Sequence, residues 1–436
     1  MRLGPMIVVL ALIAAMLAGV AAGGCGGGSG APTTATTVAG APSTTSSTTA
    51  SVGTSVSTST SSTTVETPTT APAETPVPLP AVAGVHMVDA SIGWAVTDTH
   101  LLRTEDGGNS WFDRTPTDRA GAPLENELSL GYGQFGGRLS NAAFLGADTA
   151  WIALPSVDKV TVFSTSDAGL HWEKGILALQ RTTGEAGDVA EIVGIDFVNA
   201  DDGWIVTSLG AAAGSQPVAV HRTSDGGLSW KTVVMPTPET PSPGGLPFGG
   251  DKTGFGFVDA QHGWLTGSSA ANGIWLYATS DAGDTWRGAT LPVPSDPTAA
   301  EMYGSFPTTM PPLFLDDHEG ILPVTGGTGV QADVFVTEFY LTADAGAHWR
   351  AAAPLVLREA APRLWSWPDS AHAVAASDNK FCSTADSGQT WSVKDLPSAL
   401  VGVSELDFVS SSVGWAVVAG RLFKTSDGGG TWVQHR

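Results

Sequence analysis

Thr223-Ser224-Asp225-Gly226-Gly227-Leu228-Ser229-Trp230 is the stretch on which the reading of this chain turns. It describes a tight loop closed by side-chain chemistry. The Asp225 carboxylate can accept backbone N–H bonds across the loop, and the glycines that follow tolerate positive φ. Trp230 then leaves the turn as a large apolar residue that requires a neighbouring sheet to cover it. Working outward, the same string returns around Asp106, Asp167, Asp281, Asp344, Asp386 and Asp427. In all seven copies Thr stands two before the Asp, Gly two after it and Trp five after it.

A second signal precedes each copy. A large apolar residue is followed six positions later by Gly or Ala, in the pairs Met87/Gly93, Phe144/Ala150, Phe197/Gly203, Phe257/Gly263, Phe314/Gly320, Trp365/Ala371 and Phe408/Gly414. Trp comes next in five of them (Trp94, Trp151, Trp204, Trp264 and Trp415), and Ile321 and His372 replace it in the others. Each unit therefore reads as an apolar strand, a turn, a strand opening on Gly-Trp, and a second hairpin that turns at the Asp. Two hairpins make a four-stranded sheet, and seven such sheets repeated radially make an all-β, seven-bladed β-propeller over residues 83–436.

The two motifs together resemble the Asp-box, or bacterial neuraminidase repeat, propellers. The variety they are most similar to is the photosystem II stability/assembly-factor-like group, whose units run Phe-x-Asp-x-x-x-Gly-Trp and then Thr-x-Asp-Gly-Gly-x-Thr-Trp. The resemblance covers the whole chain beyond about residue 83. It implies the propeller fold, with Asp106, Asp167, Asp225, Asp281, Asp344, Asp386 and Asp427 as structural turn residues. It says little about activity, because enzymes and non-enzymes share such turns.

The chain has 436 residues, and before the repeats it reads as an address and a spacer. Arg2 followed by the apolar run Met6–Ala22 and small residues is the pattern of an export signal over residues 1–24. Cys25 after Ala22-Gly23-Gly24 resembles the lipobox of bacterial lipoproteins, although Ala22 stands where Leu is preferred; the resemblance implies lipidation at Cys25 and an anchor on the extracytoplasmic side of the cell membrane. Residues 25–80 are almost wholly Gly, Ser, Thr, Ala, Val and Pro, with too little apolar surface to offset the entropy of ordering, and read as a disordered tether. The second cysteine, Cys382, follows Phe381 in an apolar strand and reads as a buried, inert thiol. The formal charge of −22 argues against a nucleic-acid partner or a basic membrane-binding surface, which leaves the N-terminal lipid as the only membrane contact.

The Asp-to-Asp spacings are 61, 58, 56, 63, 42 and 41 residues, so the earlier blades carry insertions. These fall between the second and third strands or after the Trp-led strand, which places them together on one face, opposite the Asp turns. That face is the expected binding surface. Three of its loops carry aromatics among glycines: Gly131 to Arg138, Leu246 to Gly250, and Met302 to Phe306. Tyr132, Phe135, Arg138, Tyr303 and Phe306 are the candidate ligand contacts, with Glu125, Glu127 and Glu301 nearby; the plainer reading is that these rings pin the loops down.

Several motifs carry less than they promise. Gly131-Tyr132-Gly133-Gln134-Phe135-Gly136 fits GxGxxG without a strand–helix unit around it. His318-Glu319 lacks the later His of a zinc-protease helix, and Asp201-Asp202 and Asp316-Asp317 read as solvated turn acids rather than a metal site. No catalytic residue, metal or cofactor is assigned, and the chain reads as a monomer. The expected function is a non-catalytic binding or assembly scaffold with a protein or glycan ligand. The alternative is a sialidase-like or other Asp-box glycoside hydrolase, which would need converging arginines and paired carboxylates; Arg103, Arg222, Arg287, Arg350 and Arg421 instead sit beside the Asp turns.

Overall fold

The structure is a computed structural model that describes residues 74–117, 140–180, 190–210, 214–237, 239–269, 273–302, 307–327, 334–358 and 360–435. The signal, Cys25 and the tether up to residue 73 lie outside them. Seven antiparallel sheets follow one another along the chain, as blades I to VII at residues 82–113, 142–178, 191–234, 251–289, 308–358, 364–395 and 403–434. Within each sheet the strands lie in chain order, and first strands pack against first strands of adjacent blades around a central axis. This is the seven-bladed β-propeller that the repeats predict. No helix among the described residues is long and apolar enough to cross a membrane.

The Gly of each Gly-Trp pair has a steric cause. In blade III, Gly203 pairs with Phe197 of the first strand, and a Cβ on Gly203 would lie 2.4 Å from the Phe197 ring. Gly263 under Phe257, Gly320 under Phe314 and Gly414 under Phe408 repeat the arrangement. The ring so placed is available to the preceding blade. Trp151 of blade II stacks on Phe197 of blade III at 3.8 Å, and Trp204 of blade III on Phe257 of blade IV at 3.6 Å. The Trp that leaves each turn closes the sandwich edge-on, as Trp230 does on Phe197 and Trp286 on Phe257. Indole N–H groups also cross the seams: Trp151 Nε1 donates to Gly226 O, Trp204 Nε1 to Ala282 O, and Trp415 Nε1 of blade VII to Gly107 O of blade I.

Three features depart from the sequence pattern. In blade VI, Trp365 pairs with Ala375 and Ser366 with Val374, so the residue that plays the part of Phe197 is Trp367, facing Ala373. The Trp365/Ala371 pair is therefore two residues out of register, and Val374 rather than His372 holds the Trp position. In blade V the inner and outer strands are each broken in two, at Pro311-Pro312 and at Pro354, because proline has no N–H for the ladder. The insertion after blade IV, read from sequence as a loop, contains a short helix, Pro297–Met302. Asp296 caps it by accepting from Thr298 N and Ala299 N, and Ala299 and Met302 are buried against blade V.

The ring closes without an exchanged strand, since blades I and VII each consist of four strands from one local stretch. Side chains and one backbone bond hold the seam instead. Lys424 Nζ donates to Ala90 O and Gly107 O and lies over the Trp415 ring, and Val82 N donates to Gly420 O. Val77 and Leu79, within the range read as tether, pack on blade I. Cys382 is fully buried in blade VI, and burial pushes its thiol pKa up to about 12, as expected of an inert thiol.

Candidate functional site

The seven Asp residues of the repeats form the same network in each blade. In blade IV, Asp281 Oδ1 accepts from Thr279 Oγ1 at 2.9 Å and from Thr285 N at 2.8 Å, while Oδ2 accepts from Thr285 Oγ1 at 2.6 Å. Gly283 N donates to Thr279 Oγ1 at 3.0 Å, so the Thr hydroxyl is satisfied from both sides. Asp106, Asp167, Asp225, Asp344, Asp386 and Asp427 repeat these bonds, with His171 and His348 supplying imidazoles where the others supply hydroxyls. Asp344 is held down to about pKa 2, chiefly by its side-chain and backbone bonds from His348. The residue after each Asp has positive φ and donates its N–H to the first hairpin turn of the same blade, as Ala282 does to Gln261 O. Both hairpin turns therefore share one face, and the strand ends that flank the insertions lie on the other.

Along the axis the repeat diverges. The first-strand residue opposite each second-strand Trp, or its replacement, is His86, Ala143, Asp196, Gly256, Leu313, Ser366 or Asp407. All but Gly256 line a central cavity of about 460 Å³. Several of them also satisfy the exposed edge of the neighbouring first strand, whose N–H groups need acceptors once the ring buries them. Asp196 Oδ2 accepts from Phe257 N at 2.7 Å, Ser366 Oγ from Phe408 N at 2.8 Å, and Asp407 Oδ2 from Met87 N at 2.5 Å. His86 stacks on Phe144 at 5.0 Å.

Glu405 enters the cavity two residues before Asp407, beyond an irregularity at Ser404 that interrupts the strand register. It is 4% exposed, and its Oε2 has no hydrogen-bond partner among the described residues. Burial, and then the neighbouring Asp407, raise its pKa well above the carboxylate range. Burial raises Asp407 to about 7, against the favourable bond from Met87 N. Phe144, Met310, Leu313, Trp365 and Trp367 supply the apolar wall, and no Lys or Arg is among the described lining residues. A further buried acid, Glu338, lies away from the axis, grouped by its strand with Val336 and Tyr340; burial raises it to about 8.

Tyr132, Phe135, Arg138, Tyr303 and Phe306 lie outside the described residues, as do Glu125 and Glu127, while Glu301 is exposed on the short helix. The loop from Leu246 to Gly250 is pinned down. Leu246 is buried in the blade III–IV core, and Lys252 Nζ donates to the carbonyls of Phe248, Gly249 and Gly250. Arg103 and Arg222 lie over the Trp94 and Trp204 rings and pair with Asp148 and Asp202; none of Arg103, Arg222, Arg287, Arg350 and Arg421 lines the axial cavity. Asp316 closes a turn by accepting from His318 N and Glu319 N, and Asp317 pairs with His318, all three exposed.

Axial Glu405 and Asp407 were missed from sequence, where they read as the polar half of an alternating strand. Superposing the seven first strands would have marked Asp407 as an acid at the register that does not repeat, with Glu405 two residues before it.

No family model matches the chain, and no curated protein is similar to it in sequence. Among solved structures, YCF48 from Cyanidioschyzon merolae is similar, with a TM-score of 0.50 at 18% identity over 80% of this chain and 97% of that one. YCF48 bound to D1 peptide gives 0.47 at 16% identity, over 83% and 94%. The GH74 enzyme of Niastella koreensis gives 0.34 at 10% identity, over 82% and 73%. At these identities what is shared with the first is the fold.

Proposed function

We propose that this chain is an exported, membrane-tethered scaffold that binds a partner polypeptide through the loop-bearing face of an Asp-box propeller of the photosystem II assembly-factor-like kind. The axial cavity carries the binding part of the proposal, and the assignment of the face rests on the inserted loops. Seven blades built alike around their Trp sandwiches and Asp turns differ along the first-strand positions that line the axis, as expected where a ring presents a specific surface. The acidic balance of the chain, −22 overall, favours a partner with basic segments. Lipidation at Cys25 after removal of residues 1–24 places the propeller outside the membrane, with residues 25–80 as the spacer.

The test is proximity labelling in the native envelope, with residues 118–139 replaced by a Gly-Ser linker of equal length. Capture of one partner that depends on this loop supports the scaffold reading, and capture indifferent to it overturns the assignment of the face. The same protein, tested against fluorogenic glycosides, addresses the hydrolase alternative: turnover abolished by a single carboxylate replacement would reverse the ranking. A Cys25→Ser variant is expected to move from the membrane fraction to the soluble one.

A further inference from the structure

We propose that the axial cavity receives the guanidinium group of an arginine side chain from the partner polypeptide, with Glu405 and Asp407 as its acceptors. The inference rests on the scaffold reading and names the chemistry of the same site. Glu405 is 4% exposed, yet its Oε2 has no partner among the described residues, an arrangement that costs stability unless something arrives to pair with it. Asp407 commits Oδ2 to Met87 N and shares the cavity lining with Glu405. No described Lys or Arg lines the cavity to neutralise these acids.

The geometry selects the kind of cation. Glu405 and Asp407 stand two residues apart on one strand, which separates their Cα atoms by about 6.6 Å. The axial acids do not gather round a single point, for the one described set of three or more metal-type ligands within 4.8 Å of each other is the exposed Asp316, Asp317 and His318 turn. A planar guanidinium, with five donors in a fork, spans two separated carboxylates as a point charge does not. It also sheds water readily and lies well against rings, and the wall here is Phe144, Trp365 and Trp367 above aliphatic Met310 and Leu313. An arginine entering along the axis would lay its methylenes on that wall and its fork on the acids.

The experiment compares n-butylguanidinium with its neutral isostere n-butylurea on the full exported chain at pH 8, by ligand-observed NMR titration. The guanidinium is expected to bind about tenfold more tightly. That preference should vanish in Glu405→Gln/Asp407→Asn and persist in Asp344→Asn, whose carboxyl belongs to an outer turn and does not line the cavity. It should also weaken as pH falls from 8 to 5. Asp407, raised to about 7, gains its proton over that range, and Glu405 is raised in the same direction; Asp196 and His86 are the other titratable groups on the lining. n-Butylammonium serves as the point-charge control and should bind more weakly than the guanidinium. Equal binding of guanidinium and urea by the unmodified protein overturns the proposal, and needs no variant to fold. Equal binding of ammonium and guanidinium overturns the choice of arginine. Loop-dependent capture of a partner is read separately, so the scaffold reading stands or falls by its own measurement.

Discussion

The turn face and the axis are built from the same seven repeats, but only one of them repeats. At the turns, Asp281 and its six counterparts make the same bonds to the Thr two before and the residue four after. At the axis, the position opposite the Trp passes from His86 through Asp196 to Asp407 without a common side chain. The turn network is complete within eight residues, so each blade needs its own copy. The axial position is defined only by the other blades, so its identity is left for a ligand or a seam to decide.

The largest expected effect tests whether the repeated layer is the source of stability. Trp204 is fully buried, stacked on Phe257, and bonded to Ala282 O. Its replacement by Ala should lower the unfolding free energy by about 3–5 kcal/mol, read from urea unfolding. Trp151→Ala, in the neighbouring seam, should cost the same to within about 1 kcal/mol if the sandwiches are equivalent. The turn carboxylate comes next. Asp281→Ala removes three accepted bonds from a half-buried turn and should cost about 1–2 kcal/mol, with Asp281→Asn recovering part of that.

Titration should separate the two regions by sign. Asp344 is held at about pKa 2 in the fold, below the unfolded value of about 3.9. Its contribution is present above about pH 4 and lost as pH falls toward 2. Asp407 is raised to about 7, so the folded state holds a proton that the unfolded chain releases near pH 4. Its contribution is greatest below about pH 4 and declines as pH rises toward 7. Unfolding midpoints measured from pH 2 to 8 should show a shallower acid limb in Asp344→Asn, where six turn carboxylates remain, and a shallower decline above pH 4 in Asp407→Asn. The same slope in both variants would erase the distinction between turn and axis. The smallest effect concerns backbone strain at the turns. Ala168 sits at φ 63° where Gly107 and Gly226 stand in other blades, and Ala168→Gly should stabilise by less than about 1 kcal/mol in the same assay.

The fold was legible because its decisive unit is local. Thr, Asp, Gly and Trp within eight residues specify a turn and the strands on either side, and the Gly six after an aromatic marks the ring that will lie on it. Blade VI shows the limit of that reading. Trp365 and Trp367 lie two apart on one face of a strand, Ala371 and Ala373 follow each at the same distance, and period-two alternation cannot choose between them. The axial acids were illegible for a different reason. Glu405 and Asp407 alternate with Leu406 as solvated residues do, and they become buried only when blade I, more than 300 positions earlier, arrives beside them. The short helix had a readable cap in Asp296-Pro297, but six residues are too few for a periodic signal.

The closure of the ring by side chains bears on how the molecule assembles. Every sheet is completed by neighbours in the chain, so among the described residues the contacts of very long range are those between the last blade and the first, 320 residues apart at Asp407 and Met87. Loop entropy grows with the logarithm of length. Closing that span rather than one of about 60 residues adds only about 1.5 kcal/mol. A sheet can then form as soon as its own hairpins are available, and a shallow search suffices to bring the two ends of the series together, with a few carboxylate, indole and ammonium contacts fixing the final register.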